Sequence, residues 1–148
     1  MNIQEQFNQA IKSNDIKNVN LLLNHPKVNL SNEDNSAIIE ASNAGHYDIV
    51  KLLLNDHRVN PGDYYNSAII EASKNGHYDI VKLLLNHPKV NPADYYNSAI
   101  RYASRVGHYN IVNLLWQDQR VKNTLEKYNK ELYNELVKKD IKEKIGIF

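Results

Sequence analysis

Residues 36–66 and 67–97 are two copies of one 31-residue sequence, SAIIEASNAGHYDIVKLLLNDHRVNPGDYYN followed by SAIIEASKNGHYDIVKLLLNHPKVNPADYYN, identical at 25 of 31 positions. A third copy begins at Ser98 (SAIRYASRVGHYNIVNLLWQDQRV). A degraded copy upstream keeps Phe7, Ala10, Val19, Leu21 to Leu23, Val28 and Asn35 in the same register. A chain self-similar at this period folds as a stack of small units, each burying its apolar face only against its neighbours. No single closed globule repeats itself in this way.

Each unit reads as a helix pair with a projecting loop. Ser67 is a good N-cap for a short helix over Ala68 to Asn75, and Gly76 is suited to a left-handed C-cap. The inward residues of that helix are Ile69, Ala72 and Ser73, the small pair allowing a neighbouring helix to approach closely. A second helix from about Tyr78 to Asn86 carries Ile80, Val81, Leu83, Leu84 and Leu85. That is too apolar for a surface helix and suits one packed on both sides. Asp79, like Asp48, favours the positive end of the helix dipole, and His87-Pro88 ends the helix. In the remainder, Val90 is apolar, Asn91-Pro92-Ala93-Asp94 has turn chemistry, and Tyr95-Tyr96 projects.

The tract from Ala72 through Ser73-Lys74-Asn75-Gly76-His77-Tyr78-Asp79-Ile80-Val81-Lys82 to Leu83-Leu84-Leu85, followed by Val90-Asn91, resembles the ankyrin repeat. It recurs around Gly45-His46 and Gly107-His108, so the likeness covers about residues 3–121. Two features depart from the family. The unit has 31 residues instead of about 33, which implies a shorter projecting hairpin. Ser67-Ala68-Ile69-Ile70 stands where the family has Thr-Pro-Leu-His, so the proline and histidine of that tetrapeptide are missing. The fold class expected is all-α: an ankyrin-type solenoid of four helix-turn-helix units with a C-terminal capping helix. Its boundaries are 1–35 for an N-terminal capping unit, 36–66, 67–97 and 98–122 for the following units, and 123–148 for the cap.

The ends differ from the middle, as the ends of a stack must. In the first unit Asn14-Asp15 replaces Gly-His, and Leu30-Ser31-Asn32-Glu33-Asp34 is a more polar loop suited to facing water. Beyond Val121 the repeat is lost, and Leu125, Tyr128, Leu132 and Leu136 recur at helical spacing, extended by Val137, Ile141 and Ile145. Residues 123–144 therefore read as one amphipathic helix over the last unit. Trp116, in the register of Leu23, Leu54 and Leu85, supplies a larger side chain for that junction.

Composition narrows the function classes. A net charge of +1 supplies no global pull toward nucleic acid or a membrane surface, and neither is expected as a partner. The basic tail, net +3 over residues 120–148 against −2 over residues 1–119, reads as a solvated helix face with interleaved charges. The lack of cysteine excludes disulfides and thiolate metal sites and fits a reducing, cytoplasmic setting. No signal peptide is expected from MNIQEQFNQAIKSND, and no apolar run approaches a membrane span. The sequon Asn29-Leu30-Ser31 is then a chance match.

The repeated chemistry argues against a reaction centre. His46, His77 and His108 fall in successive units about 8–10 Å apart, whereas zinc ligands must all lie about 2 Å from one ion. They read as structural histidines, and His25 and His87 as cations at helix C-termini. Ser73, His77 and Asp79 contain the residue types of a nucleophile triad, but they recur at Ser42, His46 and Asp48, without a nucleophile elbow or a phosphate loop. No catalysis, cofactor or metal is expected.

The ankyrin resemblance implies partner contacts at the loop tips and on a concave face formed by the first helices. At the tips stand Tyr64-Tyr65 and Tyr95-Tyr96, next to Asp63 and Asp94. Tyrosine gives large amphipathic contact area at low entropic cost. The plainer alternative is that one tyrosine of each pair packs on the next unit. Tyr47, Tyr78 and Tyr109 read as the rim of the core. On the concave face the changing rows are Gln9, Glu40, Glu71 and Tyr102, then Lys12, Asn43, Lys74 and Arg105. Glu71 and Lys74, three apart, are placed to pair with each other. The reading is a monomeric, non-catalytic adaptor for a protein partner in the cytoplasm, which is the host cytoplasm if the source is a virus or an intracellular microbe. The alternative is a scaffold that dimerises through the C-terminal helix.

Overall fold

The computed structural model describes residues 1–30 and 36–146, Ser36 in its backbone alone. Beyond Leu30, the polar loop read at residues 31–34 and the register position Asn35 lie outside the described residues. The first four helix pairs are α1 (Ile3–Lys12) with α2 (Ile16–Leu23), α3 (Ser36–Ala44) with α4 (Tyr47–Leu54), α5 (Asp63–Lys74) with α6 (Tyr78–Leu85), and α7 (Asp94–Val106) with α8 (Tyr109–Trp116). First helices stack on first helices and second on second, in two layers. The repeat explains the core. Ile49, Ile80 and Ile111, then Val50, Val81 and Val112, then Leu53, Leu84 and Leu115 are buried in equivalent places. Ile69, Ala72 and Ser73 are buried as their spacing predicts.

The histidines tie the units together. His46 Nε2 lies 3.3 Å from the Lys12 carbonyl, His77 Nε2 3.0 Å from that of Asn43, and His108 Nε2 3.2 Å from that of Lys74. A carbonyl only accepts, so each Nε2 carries the proton and donates it to the end of the preceding unit's first helix. Gly45 and Gly76, both at φ +79°, lie directly beneath the His77 and His108 rings. Asn14, at φ 55°, takes the left-handed position in unit 1, where asparagine is tolerated.

Two local expectations are corrected. Ser67 does not cap its helix by accepting an N–H; its Oγ donates to the Tyr64 carbonyl at 2.6 Å, as Ser98 does to Tyr95 at 2.7 Å. For His25 and His87 the helix-dipole account gives way to a contact within the turn. Each Nδ1 accepts the N–H two residues on, from Lys27 and Lys89 respectively, both at 3.2 Å. Asp56 and Asp118 hold the same register and accept from Arg58 and Arg120 in the same way, at 3.0 and 2.9 Å. Histidine and aspartate are thus interchangeable acceptors for one turn.

That equivalence has a pH signature. Burial, and secondarily the charge of Lys89, hold the His87 pKa below the ordinary imidazole value. A pKa lowered by folding means that His87 contributes stability present above about pH 6.5 and lost as the pH falls through its folded value. His87→Asp supplies the acceptor as a carboxylate and moves this sensitivity below about pH 4. Urea midpoints at pH 7.5 and 5.0 should therefore fall less in H87D than in the wild type. An equal fall would show that the turn does not depend on the unprotonated ring.

The C-terminal region is two helices, α9 (Gln119–Tyr128) and α10 (Lys130–Lys144), instead of the single helix expected over 123–144. The break is at Asn129 (φ −145°, ψ 70°), whose side chain accepts from the Leu132 N–H at 3.2 Å and starts α10. Helix α9 also begins before the last repeat was expected to end, because Asp118 caps it. It stacks on α7 as α7 does on α5, and α10 folds back against it. Val121, Leu125 and Leu136 are buried there, and Tyr133 meets Trp116 edge-on at 5.7 Å.

Candidate functional site

The 31-residue unit leaves no room for a long hairpin, and from unit 2 to unit 3 and from unit 3 to unit 4 the chain turns by a left-handed coil of three residues. Tyr64, Tyr65 and Asn66 have φ of 49°, 57° and 59°, and Tyr95, Tyr96 and Asn97 have 47°, 57° and 59°. Left-handed backbone costs an L-residue about 1–2 kcal/mol, and only asparagine among these three visits it readily. The turn persists because its last residue is anchored. Asn66 is buried; its Oδ1 accepts the Asn91 N–H at 2.7 Å and its Nδ2 donates to Asp94 at 2.9 Å, both in the following loop. Asn97 is buried in the same way and directs its Nδ2 to the Val121 carbonyl at 3.4 Å.

The geometric consequence is that both tyrosines of each pair point outward. Tyr64, Tyr65, Tyr95 and Tyr96 are 55–65 % exposed. Their rings form a continuous ladder: Tyr64 to Tyr65 at 6.0 Å, Tyr65 to Tyr95 at 5.7 Å, Tyr95 to Tyr96 at 6.2 Å, and Tyr96 to Tyr128 at 6.1 Å. Tyr128, from α9, completes the ladder and was missed as a surface residue in the sequence. Its position, close to one period beyond Tyr96, was the available signal. A groove of about 700 Å³ lies along the ladder between Tyr65, Asp94, Tyr96, Arg120 and Tyr128.

The other expected contact residues are placed less uniformly. Asp63 accepts from Asn60 Nδ2, and Asp94 accepts from Asn66 and from the Tyr95 N–H at 2.8 Å, so both carboxylates hold the loop together. On the first helices Glu40 lies 3.8 Å from Lys12, and Glu71 3.6 Å from Lys74, the latter the pairing that its spacing predicts. Asn43 accepts from Asn75 at 2.9 Å. Tyr102 is half-buried, with Arg105 5.3 Å and Lys74 5.8 Å from its ring centre. Of the rim tyrosines, Tyr78 packs against the core, whereas Tyr47 and Tyr109 are exposed, contrary to expectation. Ser73 Oγ is buried without a hydrogen-bond partner while His77 engages Asn43, so the triad residue types do not pair.

Two arginines overlooked in the sequence strap adjacent units. Arg58 chelates Asp56 and donates to the Leu23 carbonyl at 3.0 Å; Arg120 chelates Asp118 and donates to the Val90 carbonyl at 3.0 Å. The arginine hydrogen bonds hold both aspartate pKa values below the ordinary carboxylate range. The visible signal was the alternation at one register of His-Pro-Lys (residues 25–27 and 87–89) with Asp-x-Arg (56–58 and 118–120).

No helix is long and apolar enough to cross a membrane, and no cluster of three histidine or carboxylate side chains is placed to hold a metal among the described residues. A family model for ankyrin repeats in three copies matches residues 58–127, and a model for a single ankyrin repeat matches residues 33–67. Together they span residues 33–127, more than half of the chain. No curated protein matches the sequence.

Proposed function

Because this chain belongs to the ankyrin repeat family, whose members are in general protein-interaction modules, we propose that it is a non-catalytic cytoplasmic adaptor that binds a protein partner through its tyrosine tips and concave helical face. One observation carries the reading. Two strained left-handed turns hold four tyrosine rings in a row at the surface, a row that Tyr128 of α9 continues, and strain kept at the same place in two successive units is characteristic of a working surface. The stacked units also present this surface already ordered, so a partner meets little further entropic cost on docking. Part of the apolar side of residues 123–144 is engaged within the chain, through Leu125, Leu136 and the Trp116–Tyr133 contact, while Tyr128 and Ile141 on that side are exposed.

Tyr65 and Tyr96 are the best candidates for binding hot spots, since each contacts a ring of the next element as well as solvent. Alanine at either should weaken a purified partner's binding by about 2 kcal/mol, about thirtyfold in Kd by calorimetry. The partner is first isolated by affinity capture on the wild-type chain. Full affinity in the Tyr64, Tyr65, Tyr95 and Tyr96 quadruple alanine variant would remove the tyrosine surface from the reading.

A further inference from the structure

One lock joins each unit to the one before it, and unit 4 carries its receiving half as well. In units 1 to 3 that half is a carbonyl two residues ahead of a left-handed residue: Lys12 before Asn14, Asn43 before Gly45, and Lys74 before Gly76. The histidine of the following unit donates to the carbonyl, and over the glycines its ring lies so close that an added Cβ would meet Cε1 at 2.6 or 2.7 Å. Arg105 and Gly107, the latter at φ +91°, hold the same register in unit 4. Among the described residues, however, no hydrogen bond reaches the Arg105 carbonyl, and the side-chain atom nearest an added Cβ on Gly107 is Tyr109 Cε2 at 3.9 Å. The cap leaves this place open. Lys139, one 31-residue period after His108, directs its amine to Asn113 Oδ1 at 3.3 Å and lies over the Tyr109 ring instead. Val106 and Tyr109 beside it are 56 % and 63 % exposed, and Ser104 is half-buried where Ser42 and Ser73 are fully buried.

We propose that this open end of α7 takes a histidine side chain of the protein partner, its ring laid on Gly107 and its Nε2 proton donated to the Arg105 carbonyl. Continuity with the interface between units selects the occupant, because the same backbone arrangement holds an imidazole at His46, His77 and His108. The chemistry is restrictive on both counts. A carbonyl only accepts, so the incoming group must donate. The flat space above a residue without a Cβ suits a ring and is not filled by a lysine amine on its stem. Val106 and Tyr109 flank the site with apolar surface that shields the new hydrogen bond from water. A second copy of the chain is a poor donor, since its three ladder histidines are engaged within it and Asn14-Asp15 replaces Gly-His in unit 1. The proposal rests on the adaptor reading for its protein partner, and it adds a contact at the opposite end of α7 from Tyr95 and Tyr96.

A displayed library of random nonapeptides, panned on the full chain, tests it. The winners should share a histidine. In a synthesised winner, His→Ala and His→Phe should each lower the affinity by on the order of tenfold, because phenylalanine keeps a ring but loses the donor. Gly107→Ala should lower it by a similar factor, since the new Cβ stands where the ring must lie, and in that variant His→Phe should have no further effect. Lys51→Ala, on an exposed position of α4, should leave the affinity unchanged, and urea melts establish that both variants remain folded. Winners without histidine that depend on Tyr65 and Tyr96 would overturn the histidine assignment while leaving the adaptor reading intact. Winners indifferent to Gly107→Ala or to His→Phe, or no winners at all, would overturn it as well. So would light scattering that shows the chain self-associating and Gly107→Ala abolishing the association, which would give the site to a second copy.

Discussion

Gly76→Ala should lower the stability of the chain by about 2–4 kcal/mol, whereas Gly107→Ala, at the same position one unit later, should cost only about 1 kcal/mol. Both glycines have left-handed backbone, with φ of +79° and +91°, so both alanines incur the penalty of that region. Only at Gly76 does the next unit close over the site. A Cβ there would meet His108 Cε1 at 2.7 Å, nearer than real Cβ atoms approach. The ring must move, and in moving it gives up the hydrogen bond from Nε2 to the Lys74 carbonyl, which loses a pair worth about 1 kcal/mol and leaves the carbonyl under-satisfied. At Gly107 no further unit of that kind follows, and the nearest side-chain atom to an added Cβ is Tyr109 Cε2 at 3.9 Å. The difference between the two variants in urea denaturation therefore isolates the histidine contact from the backbone cost. Equal losses would mean that the histidine ladder contributes nothing to holding units together. Gly45→Ala, under His77 at 2.6 Å, should resemble Gly76→Ala.

What the sequence disclosed follows from the kind of interaction involved. Periodic burial is written directly in residue type, so the helix pairs, the inward Ile69, Ala72 and Ser73, and the stacking order were legible before any coordinates. Interactions between polar groups in adjacent units were not, because they depend on geometry that spacing does not encode. His87 and Asp56 look unrelated as letters, yet both accept the same turn N–H. Asn66 and Asn97 passed as ordinary turn residues, although their side chains anchor a backbone conformation that tyrosine by itself disfavours. The same blindness affected the cap. Leucine spacing across residues 125–136 runs through Asn129 without interruption, and only the capping of Leu132 by the asparagine side chain shows that one helix ends and another begins there. The tyrosine pairs were picked out by type and position, but the outward direction of both rings came from the left-handed turn.

The cap is where the sequence reading and the structure differ most, and it carries the other large expected effect. A chain ended at Gln117 should lose on the order of 5 kcal/mol or more, a large part of the 5–15 kcal/mol typical of a whole domain. Val121 and Leu125 are fully buried and Leu136 nearly so, and each such side chain contributes about 1.5–3 kcal/mol relative to exposure. Their removal also strips the strap from Arg120 to the Val90 carbonyl and the Val121 carbonyl that receives Asn97. Tyr96 would lose the ring of Tyr128 on which it rests. In a stack with nearest-neighbour coupling the damage should be graded: unit 4 opens first, and units 2 and 3 follow at higher urea. Hydrogen exchange would locate that order, with Ile111, Val112 and Leu115 losing protection before Ile49, Val50 and Leu53. Leu125→Ala, which keeps the chain length, separates this from any general effect of truncation and should cost about 3 kcal/mol by itself. If the shortened chain instead melts at the same urea concentration as the intact one, with unit 4 still protected, then α9 and α10 are an appendage, and the ladder that ends on Tyr128 is not held by the fold.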